Sequence, residues 1–255
     1  MMMRMALWLA VAVVALAGAP ASAADVRVLT AGAFKQVVLA AAPEWERETG
    51  HRLVVENDTA GALARRVARG EGFDLLIVPP AQMEALARAG HVAPGAVPLA
   101  RVGVGVGVRD DAPRPDIGSV EAFRAAVLAA PRIAYIDPAS GGSSGTYVEG
   151  LLGRLGIAEA MRDRRVLVRG GLVAERVADG SADLAIHQIS EILPVAGVAL
   201  VGPLPAEIQS WTVYSGALAP SPSPAGGAAR GFLARLAGPE GRAVLRAKGM
   251  EPPAE

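Results

Sequence analysis

The chain alternates between short apolar runs and amphipathic segments, and this alternation predicts a regular series of strands and helices. Apolar runs of strand length occupy residues 26–30, 52–55, 73–78, 101–108, 132–136, 165–168, 182–188, 198–201 and 211–218. Apolar positions with helical spacing fall at residues 34–48, 62–69, 82–89, 119–130, 147–155, 172–179, 225–237 and 239–248. Strands that alternate with helices indicate an α/β fold, in which mainly parallel sheets carry helices on their faces.

The strand–loop–helix series occurs twice, at residues 26–90 and again at residues 132–188. This repetition favours two similar α/β lobes over one sheet. In sheets of this kind ligands bind beyond the carboxyl ends of the strands. Between the two series, residues 101–108 alternate valine with glycine, which predicts a strand with a close neighbour on its glycine face. The stretch is no dinucleotide motif, because that motif needs a turn into a helix.

The first 23 residues have the pattern of a secretory signal peptide. Arg4 precedes an uninterrupted apolar run at residues 6–17, and residues 21–23 read Ala-Ser-Ala, a small-x-small cleavage signature. The alternative, an uncleaved anchor, needs roughly 20 apolar residues to span a bilayer. We therefore expect cleavage after Ala23 and a periplasmic location.

Composition excludes several classes of function. The chain of 255 residues has 25 basic and 25 acidic side chains, so it lacks the basic excess of a nucleic-acid-binding protein. It has no cysteine, which rules out disulfides, thiolate metal sites, a cysteine nucleophile and a lipoprotein anchor. With three histidines and no carboxylate cluster at ligand spacing, we predict no metal and no cofactor.

Residues 140–146 read Ser-Gly-Gly-Ser-Ser-Gly-Thr and stand between a predicted strand and a predicted helix. A helix N-terminus presents unpaired N–H groups and a partial positive charge, and the hydroxyls add further donors. The segment therefore has the features of an anion site. A plain cap or linker is the alternative interpretation of the same residues.

The chain resembles periplasmic solute-binding proteins of the molybdate-binding type (type 2), the receptors of ABC importers, as a divergent member. The resemblance covers the mature chain, and its motifs lie in order at residues 28–33, 45–50, 57–65, 73–77, 86–90, 140–146 and 180–187. Residues 45–50 read Trp-Glu-Arg-Glu-Thr-Gly, and residues 180–187 read Gly-Ser-Ala-Asp-Leu-Ala-Ile-His.

The resemblance implies a two-lobed periplasmic-binding-protein fold (type II) that closes on its ligand by a hinge. Residues 24–101 and 212–255 would form lobe 1, residues 102–211 would form lobe 2, and the crossings would fall near residues 99–104 and 209–213. The implied partners are a small anionic ligand and the membrane permease of an ABC importer, with no nucleic acid. We expect a monomer.

The resemblance also implies an oxyanion held by hydroxyls and backbone N–H groups without a counter-charge. The matching positions are Ala33, Thr59, Ala60, Ser143, Ser144, Val173 (or its neighbour Ala174) and His187 (or its neighbour Gln188). Ala33 replaces the family's serine, and the His187-Gln188 pair stands where the family has a tyrosine. These lost hydroxyls make molybdate itself doubtful and keep a small carboxylate in consideration.

The function predicted from sequence is therefore a periplasmic receptor that captures a molybdate- or tungstate-like oxyanion or a small carboxylate for ABC-type import, with no enzymatic activity. One alternative is a ligand-sensing protein that signals to a membrane partner. A serine hydrolase built on Ser143 or Ser144 with His187 and Asp183 is remote, because four residues along a strand span about 13 Å. Arg169 and Lys35 are further candidates for contact with an anion.

Overall fold

The computed structural model describes residues 23–221 and 223–253, so the predicted signal peptide lies, but for its last residue, outside the described residues. The strands are β1 Asp25–Ala31, β2 Arg52–Asp58, β3 Leu75–Val78, β4 Val97–Arg109, β5 Ile133–Ile136, β6 Arg165–Val168, β7 Leu184–Gln188, β8 Val198–Pro203 and β9 Trp211–Leu218. The helices are α1 Gly32–Thr49, α2 Ala60–Ala68, α3 Pro80–Arg88, α4 Val120–Ala129, α5 Ser143–Arg154, α6 Glu175–Ala178, α7 Ile189–Ile192, α8 Gly226–Ala237 and α9 Pro239–Ala247.

The strands form two sheets with the same internal order. The first sheet runs β2-β1-β3-β9-β4, with β1 parallel to β2 and β3 and with β9 antiparallel to both of its neighbours. The second sheet runs β6-β5-β7-β4-β8, with β5 parallel to β6 and β7 and with β4 antiparallel to both of its neighbours. The repetition seen in the sequence is therefore a repetition of topology.

Strand β4 belongs to both sheets, which corrects the expectation of two separate ones. Its first half pairs with β9 as far as Gly103, and its second half lies between β7 and β8. A Cβ atom at Gly105 would lie 2.8 Å from Ile189 Cγ1, and one at Gly107 would lie 2.8 Å from Ile192 Cγ2. The glycine face thus has the close neighbour that the alternation predicts, and that neighbour is α7.

Each sheet has its own apolar core. In the first, Phe34 and Trp45 of α1 pack with Phe232 of α8, and the Trp45 and Phe232 ring centroids lie 5.1 Å apart. In the second, helices α4 and α5 cover one face of the sheet around Phe123 and Tyr135, and a smaller cluster fills the other face. The two cores are separate, and the sheets are joined by β4 and by α7, whose Ile189 packs against the first core. No helix in the described part of the chain is long and apolar enough to cross a membrane.

Three local predictions were wrong, and each bears on the site. Helix α5 begins at Ser143, so the two serines occupy its first turn rather than a loop. The helix predicted at residues 172–179 shortens to α6, because residues 172–174 form a turn. Helix α7, directly after β7, was not predicted at all, since four residues are too few to show a helical period.

Candidate functional site

A small cavity, about 40 Å³ in volume, lies where the loops of the two sheets meet. A single water needs roughly 10–15 Å³ of such space, so the cavity suits a group of only a few atoms. Its walls come from strand ends and helix starts in both sheets: residues 31–33, 57–60, 136, 142–144, 170–171, 187–188, 191 and 214. All but the last lie at the carboxyl ends of parallel strands, where the topology of an α/β sheet places ligands.

Three helices of at least nine residues point their N-termini at this cavity. Helix α1 contributes Gly32 and Ala33, α2 contributes Ala60, and α5 contributes Ser143 and Ser144. The first four N–H groups of a helix have no partner within the helix, and the helix dipole adds partial positive charge. No lysine or arginine lines the cavity among the residues described. The groups that can attract an anion to this cavity are therefore backbone N–H groups rather than cationic side chains.

The two sheets are in direct contact beside the cavity. Thr59 caps α2 by accepting a hydrogen bond from the Ala62 N–H, and its hydroxyl also donates to the Ser140 carbonyl oxygen of the other sheet at 2.6 Å. The Gly61 N–H donates to the Gly141 carbonyl oxygen at 3.1 Å. A Cβ atom at Gly61 would lie 3.1 Å from Gly141 Cα. Backbone meets backbone here, so this is a closed arrangement of the cleft.

A buried amide ties β9, β7 and α5 together at the cavity wall. The Gln188 side-chain NH₂ donates to the hydroxyls of Ser143 and Thr212 at 3.1 and 3.0 Å, and its carbonyl oxygen accepts from the Tyr214 hydroxyl at 2.7 Å. This network fixes the orientation of Ser143. It also uses part of the hydrogen-bonding capacity of its hydroxyl.

A histidine and a glutamate are buried together at the end of β7 and in α7. His187 Nδ1 lies 3.3 Å from Glu191 Oε2, and both residues line the cavity. Burial lowers the pKa of His187 to about 3 and raises the pKa of Glu191 to about 8, so the neutral form of each is favoured near pH 7. The pair therefore adds no net charge to the site.

The imidazole of His187 has one nitrogen available for a ligand. Its Nδ1 accepts the Gln188 N–H at 2.7 Å, which assigns the ring proton to Nε2. Nε2 is buried and has no hydrogen-bond partner within the described protein. Ser144 and Asn57 also line the cavity, and their side chains take part in none of the bonds above. Hydroxyl, amide and imidazole donors thus supplement the helix N-termini.

Six of the seven residues singled out from sequence line the one cavity: Ala33, Thr59, Ala60, Ser143, Ser144 and His187. The seventh, Val173, does not; it is fully buried in the small core of the second sheet, and Gly170 and Gly171 line the cavity in its place. Thr146 is exposed, and its hydroxyl donates to the Gly142 carbonyl oxygen at the start of its own helix, outside the cavity.

Sequence reasoning missed Glu191, Asn57 and Tyr214. Glu191 lies on the unpredicted helix α7, and its burial is set by packing against the other sheet. For Asn57 a signal did exist, because it stands in the polar stretch predicted as a loop, two residues before Thr59, and the structure places it near the end of β2.

The remaining candidates lie outside the cavity. The Arg169 side chain is 91% exposed and lies 3.8 Å from the Asp137 carboxylate, as expected of a solvated loop charge. Lys35 does not line the cavity. Asp183 precedes β7, at the far end from His187, and its carboxylate accepts the Arg132 N–H, so the hydrolase triad is not assembled. Within the described residues no group of three or more His, Asp or Glu could hold a metal ion.

The chain also matches a known protein family along most of its length. The sequence profile of the bacterial extracellular solute-binding proteins matches residues 26–251. The chain belongs to this family. Two solved structures share its fold. The periplasmic molybdate-binding protein of Azotobacter vinelandii is 22% identical, covers 90% of this chain and 100% of its own, and has a TM-score of 0.74. PEB3 of Campylobacter jejuni with bound L-phospholactate is 14% identical, with the same coverage and a TM-score of 0.69.

One relative that is similar in sequence is named as an enzyme. An aconitate isomerase from a Pseudomonas species is 31% identical over an alignment of 255 positions, which covers 96% of this chain and 95% of that protein. The chain is thus similar to a protein named for a reaction as well as to proteins named for a ligand.

Proposed function

We propose that this protein is a periplasmic receptor that captures a small carboxylate anion in the cleft between its two sheets. The observation that carries the proposal is the convergence of the N-termini of α1, α2 and α5 on a cavity without a cationic side chain. Backbone N–H groups at helix starts bind anions well in a dry site, because they need no counter-charge to be desolvated.

The side chains of the cavity favour a carboxylate over a tetrahedral oxyanion. Ala33 offers no hydroxyl, and the hydroxyl of Thr59 already donates across the cleft, which leaves the hydroxyls of Ser143 and Ser144. Fewer free hydroxyls remain than four oxygens of a tetrahedral dianion require. A carboxylate has two oxygens, and two helix N-termini with one hydroxyl satisfy them.

We further propose that the captured anion is delivered to the permease of an ABC importer. The contacts of Thr59 and Gly61 with the opposite sheet support this role, because a receptor of this kind must present a closed form that differs from its empty form. Residues 99–104 and 209–213, where β4 pairs with β9, are the proposed hinge. The ligand shifts the population toward the closed form by its differential affinity.

A thermal-shift screen of the mature protein tests the proposal. Small mono-, di- and tricarboxylates, molybdate, tungstate, sulfate and phosphate are compared with neutral sugars at equal concentration. We expect the largest stabilisation from a carboxylate, because a ligand raises the free energy of unfolding by RT ln(1 + [L]/Kd). A larger shift from molybdate or tungstate would reassign the ligand to an oxyanion. A shift from a sugar alone would contradict the anion site.

A second candidate function is isomerisation of an unsaturated carboxylate. It is favoured by one specific pair of observations: the 31% identical relative named aconitate isomerase, and a buried carboxyl, that of Glu191, in the wall of the cavity. Aconitate is a six-carbon tricarboxylate, larger than a cavity of about 40 Å³. We therefore propose that the sheets stand farther apart around it than they do here, with one carboxylate at the helix N-termini.

A further inference from the structure

The carboxyl group of Glu191 is an unfavourable group in the binding cavity of a receptor for anions. Glu191 is 7% exposed and lines the cavity, where a charged carboxylate would repel an anionic ligand. Its Oε1 atom approaches α1 so closely that a Cβ atom at Gly32 would lie only 2.6 Å away. The carboxyl therefore sits within the ring of N-termini, beside the very backbone groups that would hold the ligand.

The groups that face Glu191 include no cation that would neutralise its charge. From β7, His187 Nδ1 lies 3.3 Å from Oε2. From β9, the buried Tyr214 faces the same carboxyl, and the charge of Glu191 contributes to raising the pKa of that phenol. From the end of β2, Asn57 and Asp58 line the same cavity. Asp58 is turned to its own partners, because its carboxylate accepts the Thr59 N–H and lies 3.8 Å from Arg66.

From these contacts we propose that Glu191 is a catalytic residue: it moves a proton between two carbon atoms of an unsaturated carboxylate bound at the N-termini of α1 and α5. The proposal rests on the second candidate function. In the step, the Glu191 carboxylate takes a proton from a CH₂ group next to the carbon–carbon double bond. The C–H electron pair forms a new double bond. The electron pair of the old double bond moves to the far carbon, and that carbon takes the proton back from the Glu191 carboxyl. No atom is gained or lost, and no oxidant or cofactor is required.

The remaining wall of the cavity suits the intermediate of this step. As the proton leaves, negative charge develops on the carboxylate oxygens conjugated with the broken C–H bond. N–H groups at the start of a helix and the hydroxyl of Ser144 are fixed donors for such oxygens. A group that must both take and return a proton works best with a pKa near the working pH, and burial raises the pKa of Glu191 to about 8.

His187 lies against the carboxyl without competing for its proton. Its pKa is lowered by burial and its Nδ1 already accepts the Gln188 N–H, so it is a neutral neighbour of Glu191 rather than a second base.

Proton NMR of trans-aconitate in D₂O, with the wild-type protein and with Glu191→Gln, tests the proposal. Wild type should convert trans- to cis-aconitate, and deuterium should enter the CH₂ group to the extent that the Glu191 carboxyl exchanges its proton with D₂O between the two transfers. In Glu191→Gln the rates of isomerisation and of deuterium incorporation should both fall at least about a hundredfold, the usual effect of removing an acid–base group. Its calorimetric affinity for trans-aconitate should stay within about threefold, because a neutral amide replaces a protonated carboxyl of the same shape.

Controls separate the failure of the inference from failure of the proposed function. Glu121→Gln, an exposed acid on α4, should behave as wild type in both assays. Glu191→Asp keeps a carboxyl and should retain part of the isomerisation rate. That result would show that Glu191→Gln is inactive because it lacks an acid–base group and not because it is misfolded. Wild type that binds the carboxylate but neither isomerises nor exchanges it overturns the inference and leaves the receptor standing. Isomerisation by Glu191→Gln at the wild-type rate also overturns it. If no carboxylate binds, both proposals fall.

Discussion

The two sheets have the same strand order, yet their loops bring different chemistry to the cleft. At the first strand end, β1 leads into Ala33, which can offer backbone only, whereas the equivalent β5 leads into Ser143 and Ser144. At the third strand end the difference is larger. β3 leads into two prolines that do not line the cavity, whereas the equivalent β7 supplies two buried titratable side chains.

This comparison shows that a repeated topology determines where a ligand lies but not which chemical groups contact it. Both sheets deliver helix N-termini to the same point, because the carboxyl ends of parallel strands β1, β2, β5, β6 and β7 all face the cleft. At these two strand ends the first sheet thus supplies backbone only. The second supplies hydroxyl, imidazole and carboxyl groups, so substitutions in the second sheet should alter chemistry and those in the first should alter closure.

The largest expected effect concerns the acid of the second sheet. The folded-state pKa of Glu191 is raised from 4.5 to about 8, so the stability that its protonated form contributes is present below pH 4.5 and is lost as the pH rises toward 8. The loss amounts to several kcal/mol, at about 1.4 kcal/mol per pKa unit. Glu191→Gln should therefore raise the melting temperature of the ligand-free protein at pH 8.

Thermal melts between pH 6.5 and pH 8.5 isolate this effect. His187 has a depressed pKa, from 6.5 to about 3, so its own loss of stability occurs only as the pH falls below 6.5. Wild type and Glu121→Gln should lose stability over the upper range, and Glu191→Gln should not. Parallel slopes for all three proteins would show that the carboxyl is ionised in the folded protein, against the role given to it.

The next effect tests the first sheet as the closing element. In Gly61→Val, the new Cβ atom alone would lie 3.1 Å from Gly141 Cα and from its carbonyl oxygen, so the sheets cannot approach as they do here. The affinity for the ligand should fall by at least about a hundredfold, the scale of two or more lost hydrogen bonds to a charged group. Titration calorimetry measures it.

Gly153→Val is the matched control for that substitution. Gly153 also lies in a helix, and nothing stands within 4 Å of a Cβ atom built there. It should bind as wild type does. Equal affinities for both variants would show that contact between the sheets contributes nothing to binding.

A smaller effect separates the two serines of α5. Ser144→Ala removes a hydroxyl that lines the cavity and should weaken binding by about ten- to a hundredfold, since a hydrogen bond to a charged group contributes roughly 1.5–3 kcal/mol. Ser143→Ala should cost less, because the Ser143 hydroxyl is held in a network by Gln188 and can donate to the Thr212 hydroxyl at 3.4 Å instead of to the ligand. The reverse order would place the ligand on the Gln188 side of the cavity.

The smallest effect is expected at Arg169. Its side chain is 91% exposed and outside the cavity, so Arg169→Gln should change ligand affinity by less than about twofold, as for a screened surface charge. A tenfold loss would show that the loop before Gly170 folds over the ligand in solution.

The fold and the position of the cleft were predictable from sequence, because both depend on periodicity and on loop chemistry. The polar loop at Thr59 and the serines before Tyr147 are local patterns that any parallel sheet brings to the same edge. The contribution of Glu191 was not predictable, since helix α7 has four residues and its burial comes from contact with α1 of the other sheet. Val173 was misplaced for a related reason: a turn replaced the expected start of its helix, and its side chain turned into the core.

The most direct test of the central claim is a calorimetric titration of the mature protein with its best carboxylate at low and high salt. The claim is that neutral donors inside a closed cleft hold the anion. It predicts one ligand per chain and a Kd that changes less than about threefold between about 0.05 M and about 0.5 M NaCl, because buried interactions are screened little. A Kd that weakens more than about tenfold over that range would assign the anion to exposed cationic side chains and contradict the account.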